Sequence, residues 1–187
     1  MRQHRLSSVL LFALIAGNAY PSMAQQSDAS ISPSLSVPTN TGTGALAGLA
    51  LALAGSSGFA LRASGHVALR STPATTLGAT PQLRPWTADI DAVFALAGRP
   101  FGNQNRTAAS YGFVGTGKSA MDTANIRATN KNWSYGIGSM VPLAAPVDLF
   151  AEWRWRMSRF VLPTARPKPT RSKEVRFGIS FHLARRN

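Results

Sequence analysis

Between Val147 and Met157 the chain reads VDLFAEWRWRM, and its polarity alternates almost residue by residue. Odd positions carry Val147, Leu149, Ala151, Trp153, Trp155 and Met157, and even positions carry Asp148, Phe150, Glu152, Arg154 and Arg156. Side chains alternate across a strand, so the stretch predicts a β-strand with one apolar face and one largely charged face. A helix would scatter the same residues around its circumference and leave no clean stripe. Two tryptophans on the face away from the charges suit a wall that meets lipid better than one that meets water.

The design recurs along the chain. Phe59 to Arg70 sets Phe59, Leu61, Ala63, Val67 and Leu69 against Arg62, Ser64, His66 and Arg70. Trp86 to Leu96 sets Trp86, Ala88, Ile90, Ala92, Phe94 and Leu96 against Thr87, Asp89, Asp91 and Val93. Trp133, Tyr135, Ile137 and Val141 oppose Ser134, Gly136 and Gly138, while Val175, Phe177, Ile179, Phe181 and Leu183 oppose Glu174, Arg176, Ser180 and His182.

Three further stretches are less regular. Ser30 to Val37 is interrupted by Pro33, which cannot donate to a ladder. In Ala45 to Ala54, Leu49, Leu51 and Leu53 alternate with Ala50, Ala52 and Ala54. There the period of two between flanking glycines outweighs the helix propensity of leucine and alanine. Ala109 to Gly117 is glycine-rich, with Tyr111 and Phe113 on one side and Ser110, Thr116 and Lys118 on the other.

The connections at 55–58 and 144–146 are short, that at 98–106 is intermediate, and those at 71–85, 119–131 and 160–172 are long. Up-and-down membrane barrels have short turns at one end and longer loops at the other. The expected fold is therefore all-β: an eight-stranded antiparallel up-and-down transmembrane β-barrel. It should act as a monomer.

Charge placement fits that fold. Of the 7 acidic residues, Asp89, Asp91, Asp148, Glu152 and Glu174 fall on inward positions. They would meet inward Arg62, Arg70, Arg154, Arg156 and Arg176. Eight strands enclose a lumen that side chains fill, and buried charges need partners. These ten residues are expected to form a salt-bridge network that closes the lumen. The lipid-facing positions of the strands are expected to carry no charge, because a cation there costs about 2–4 kcal/mol near mid-membrane.

The start of the chain has the parts of an export signal: basic Arg2, His4 and Arg5, the short apolar run Val9 to Ala16, and Ser22-Met23-Ala24 before a cut. Residues 1–24 are read as a cleavable signal peptide and 25–187 as the barrel domain. The apolar run is far short of the roughly 20 residues that a helical span needs. Cysteine is absent, which excludes disulfides and cysteine metal sites. The net charge is +13. Its densest run is the loop Arg159 to Lys173, with Arg159, Arg166, Lys168, Arg171 and Lys173 and no acid before Glu174. As an external loop it would sit beside lipopolysaccharide phosphates or acidic extracellular polymers, attracted electrostatically.

The segments Trp133-Ser-Tyr-Gly-Ile-Gly-Ser-Met-Val-Pro-Leu, Leu149-Phe-Ala-Glu-Trp-Arg-Trp and Val175-Arg-Phe-Gly-Ile-Ser-Phe-His-Leu together resemble the last three strands of small bacterial outer-membrane β-barrels of the opacity/OmpX-like group. The resemblance covers about the last 50 residues closely. It implies insertion by the barrel-assembly machinery into the bacterial outer membrane and contact with outer-membrane lipids. Members usually end on an aromatic residue; here Phe181 is followed by His-Leu-Ala-Arg-Arg-Asn.

Other motifs compete with this reading. Gly112-Phe-Val-Gly-Thr-Gly-Lys-Ser119 matches the phosphate-loop pattern. It lacks a buried strand before it and a helix after it, so a glycine-rich barrel strand is the better account. Ser64, His66 and His182 could suggest a hydrolase, yet no carboxylate stands out as their orienting partner. Trp86, Trp133, Tyr135, Trp153 and Trp155 could stack on nucleic acid but fit the aromatic belts of membrane barrels better. The expectation is a structural or surface-interacting barrel without catalytic residues, cofactor, metal or nucleic-acid partner. The alternatives are a soluble periplasmic barrel for a lipophilic ligand and a lipid-modifying outer-membrane enzyme.

Overall fold

The computed structural model describes residues 28–39, 44–55, 58–69, 72–73, 82–98, 100, 107–123, 126–159 and 169–183. Eight long strands run in sequence: β1 (Asp28–Pro38), β2 (Leu46–Ala54), β3 (Phe59–Ala68), β4 (Gln82–Ala97), β5 (Ala109–Thr123), β6 (Ile126–Ala144), β7 (Val147–Arg159) and β8 (Pro169–Leu183). A two-residue strand, Thr72–Pro73, pairs with Gln82 and Leu83 at the start of β4. Every neighbour is antiparallel. The pairings β3–β4 and β1–β8 close the sheet into a barrel.

The period-two reading holds in each strand. In β2 the leucines at 49, 51 and 53 are exposed while Ala50, Ala52 and Ala54 are buried, so the Leu/Ala alternation is that of a strand. Pro33 lies inside β1, and the ladder from β1 to β8 runs from Ala29 to Ile31 and resumes at Ser34. The break falls beside the residue that has no N–H to give.

Several strands extend past their expected ends. The stretch 119–131, expected to be a long loop, is instead the outer part of a hairpin, with Ser119↔Asn130 and Thr123↔Ile126 in register. Likewise Arg159 ends β7 and Arg171 and Lys173 lie within β8, so these three members of the expected basic loop are strand residues. β4 likewise begins at Gln82, inside the expected loop 71–85. Backbone pairing continues beyond the lipid because the ladder does not depend on apolar side chains. The alternating signal does depend on them, and it fades where both faces are wet.

The barrel is the inverse of a water-soluble protein. Its interior buries Arg62, Asp89, Asp91, Glu152, Arg154, Arg156, Glu174 and Arg176. Its exterior exposes Leu49, Leu51, Leu61, Ile90, Phe94, Ile137, Leu149, Phe177 and Ile179. An apolar outer surface of this extent is that of a sheet spanning a bilayer. Four aromatic rings, Trp133, Tyr135, Trp155 and Trp153, form one patch on β6 and β7, the first three stacked and Trp153 tilted against Trp155, with centroids 5.7, 5.5 and 6.0 Å apart in turn. Trp86 stands apart on β4.

Glycines make room for the large inward side chains. A Cβ at Gly115 would strike the Asp91 carboxylate, and one at Gly117 the Asp89 carboxylate. At Gly136 and Gly138 it would meet the rings of Phe113 and Tyr111. The phosphate-loop-like run therefore lies in β5, with its second and third glycines facing the lumen opposite two aspartates, Asp91↔Gly115 and Asp89↔Gly117.

Candidate functional site

The lumen is the most chemically dense region. Arg62 on β3 bonds both Asp91 on β4, at 3.0 Å, and Glu152 on β7. Arg154 donates to both Asp91 oxygens at 2.6 and 3.1 Å and to Ser134 at 2.8 Å. Arg156 makes a two-pronged contact with Asp89 at 2.7 and 2.8 Å, bonds Asn132 at 2.9 Å and reaches Glu174 at 3.2 Å. Arg176 bonds Glu174 at 3.1 Å and Ser64 at 3.4 Å. Ser36 on β1 donates to Glu174 at 2.5 Å.

The four arginines Arg62, Arg154, Arg156 and Arg176 thus meet the four carboxylates Asp89, Asp91, Glu152 and Glu174. Formal charge cancels within the cluster, and fork-shaped guanidinium–carboxylate contacts satisfy most of the donors. That arrangement meets the requirement that buried charge be paired.

Two aromatic residues complete the network from below. The Tyr111 hydroxyl donates to Glu152 at 2.8 Å. Arg62 and Arg154 lie over the Phe113 ring, 5.1 and 4.5 Å from its centroid, in cation–π geometry. Sequence pattern missed these roles. It put Tyr111 and Phe113 on one side of β5 without assigning that side to the lumen. The available signal was the glycine pair at 115 and 117, which shares their phase and faces the two aspartates.

Asp148 stands away from this cluster. It pairs with His182 at 2.5 Å, near the end of the lumen closed by the Ala145–Pro146 turn. Arg70, Arg166 and Lys168 fall outside the described residues. Ser64 and His66 do not act on each other: Ser64 accepts from Arg176, and His66 pairs through Nε2 with Ser34 at 2.9 Å. Among the described residues no group of His, Asp and Glu side chains is arranged to hold a metal ion.

The outer wall departs from the expected absence of charge. Lys118 and Lys131 are exposed there, as are Arg171 and Lys173. All four point outward beyond the apolar stretch of their strands, toward the end where Thr123 pairs with Ile126. The reason is strand length: β5, β6 and β8 continue into the region where lipid gives way to headgroups and water. Among the described side chains, every charge on the outer wall is a cation.

No protein-family model matches the chain, and no curated protein matches it in sequence. Its fold does match solved structures. The N-terminal β-barrel domain of Pseudomonas aeruginosa OprF is similar at a TM-score of 0.57 and 13% identity, over 84% of this chain and 98% of that one. The Yersinia pestis attachment invasion locus protein Ail, in complex with the heparin analogue sucrose octasulfate, is similar at 0.50 and 12%, over 84% and 97%. The fold is that of the small bacterial outer-membrane β-barrels.

Proposed function

We propose that the protein is a structural and surface-contact barrel of the bacterial outer membrane. In this reading it is exported by way of the segment 1–24 and inserted by the barrel-assembly machinery. It works as a monomer with a lumen closed to solutes, and its outer basic rim engages phosphate- or sulfate-bearing polymers, lipopolysaccharide foremost. One observation carries it: among the described side chains, the buried ionic cluster is charge-neutral and sits inside an apolar exterior whose charges are all positive and all at one end. Among the described residues the lumen is lined by ion pairs over much of its length rather than by an apolar ligand cavity, which argues against the soluble alternative. His66 pairs with Ser34 but its Nδ1 meets no carboxylate, and His182 pairs with Asp148 but its Nδ1 meets no serine, so neither histidine joins a nucleophile to an orienting carboxylate, which argues against a lipid-modifying enzyme. The polyanion bound by Ail is the kind of partner that this chain's own rim favours.

Fractionation tests the location: recovery in the outer membrane with heat-modifiable migration supports it, and release with periplasmic contents refutes it. Reversing Arg159, Arg166, Lys168, Arg171 and Lys173 to glutamate should weaken association with lipopolysaccharide, most at low salt. Unchanged association would end the polyanion reading.

A further inference from the structure

One row of outward residues crosses five strands in register: Leu49↔Gly65↔Ala88↔Lys118↔Lys131. Its centre is two strands of minimal side chains, Gly65 and Ala88, with Ala63 one position lower. The result is a groove of about 740 Å³ in the outer wall. Leu49 and Leu51 form one bank, Trp86 and Ile90 line its length, and Thr116, Lys118 and Lys131 form the other bank. Adjacent strands lie about 4.8 Å apart, so the floor is wide enough for an extended hydrocarbon chain.

The two lysines need explanation. They sit directly opposite each other on neighbouring strands, where like charges repel. No acid accompanies them on the outer wall among the described residues. They lie beyond the lipid-facing run that includes Val114 and Trp133, on the side where the outer-membrane reading puts lipid headgroups.

We propose that this groove seats one phosphorylated glycolipid of the outer leaflet, an acyl chain lying along Ala63, Gly65 and Ala88 and a headgroup phosphate bridging Lys118 and Lys131. The proposal rests on the outer-membrane reading above and extends it to a defined lipid site, away from the basic residues of β7 and β8. Charge decides the occupant. A second copy of the barrel would bring an outer wall whose described charges are also cations. A neutral lipid would bring no counter-charge to the lysine pair.

The test is native mass spectrometry of the full protein released from micelles supplied with bisphosphorylated lipid A, lipid A stripped of both phosphates, or phosphatidylglycerol. The wild type should retain one bisphosphorylated lipid A. It should retain the stripped form and phosphatidylglycerol at least about tenfold less, since each lysine near a lipid surface adds appreciably to anion attraction. Lys118→Gln with Lys131→Gln, and separately Ala88→Phe, should each lower retention of the intact lipid by a similar factor. Leu149→Ala, an exposed outer-wall residue of β7 that does not line the groove, should leave it unchanged. Equal retention of intact and stripped lipid A by the wild type overturns the site without any variant, as does phosphatidylglycerol retained as well as lipid A. Full retention by the lysine double variant overturns it too. Failure of the wider reading would show separately, as wild-type protein missing from the outer membrane.

Discussion

The two halves of the lumen are filled by opposite means. The outer half, from Glu152 and Arg62 up to Arg156 and Glu174, is packed with guanidinium groups and carboxylates. The inner half holds a small apolar cluster in which Ala54, Ala60, Val93, Met140 and Phe150 lie beneath Tyr111 and Phe113. Both halves exclude solvent, but they differ in how they tolerate loss. An apolar contact fails in proportion to the volume removed. A buried ion network fails all at once, because removing one partner strands the others. Tyr111 and Phe113 form the seam, each presenting an apolar ring to one half and a hydroxyl or π-face to the other.

The sharpest way to expose this difference is at Asp91, which serves both Arg62 and Arg154. Asp91→Ala should destabilise the barrel by about 3–5 kcal/mol, leaving two buried guanidinium groups short of a counter-charge. Urea unfolding in phospholipid vesicles, followed by tryptophan emission, measures it. Adding Arg154→Leu to Asp91→Ala should recover part of the loss, a non-additivity expected only within a network. Additive losses would mean that the charges do not act as a unit.

In the inner half, Phe150→Ala should cost about 3 kcal/mol in the same assay. Phe150 packs over Gly178, whose missing Cβ leaves space for the ring. No second substitution of an inner-half side chain should rescue it. Rescue by a distant change would erase the distinction between the halves.

A third test addresses the seam. A Cβ at Gly138 would come 2.5 Å from the Tyr111 ring, so Gly138→Ala must push the ring aside. The cost should be about 1–3 kcal/mol from overpacking. Adding Tyr111→Leu should relieve the clash while also removing the bond to Glu152, so the double variant reports on both halves together.

The legibility of this chain in its sequence follows the same division. Most strands that cross lipid announced themselves by alternation, because the bilayer enforces apolar residues on one phase. The inward acids and arginines were readable for the same reason: Asp89, Asp91, Glu152 and Arg154 share the phase opposite Ile90 and Trp153. What alternation does not encode is depth. It did not reveal that the polar stretch 119–131 is a continued hairpin, because its residues carry no apolar alternation. For the same reason it did not reveal that Lys118 and Lys131 belong to the outer wall. In β5 the phase itself was obscure. Glycine at 112, 115 and 117 carries no polarity, and the aromatic residues Tyr111 and Phe113, ordinarily lipid-facing, are here drawn inward by Arg62, Arg154 and Glu152. Which inward charges pair with which depended on register, and the turns that fix register are not visible in a polarity pattern.

The smallest predicted effect lies at the inner mouth, where Asp148 and His182 pair beneath the apolar cluster. This pair stands apart from the ionic half, with Met140 and Phe150 between, and it should behave as an independent contact. A double-mutant cycle of Asp148→Ala and His182→Ala should give a coupling of about 1 kcal/mol, typical of a hydrogen bond whose partners lie close to water. Combining either change with Asp91→Ala should be additive within about 0.5 kcal/mol, since the apolar side chains of Met140 and Phe150 separate the two sites. If the inner pair instead couples to Asp91, the apolar cluster is not an insulating layer. The lumen would then be one continuous polar network, interrupted rather than divided by Tyr111 and Phe113.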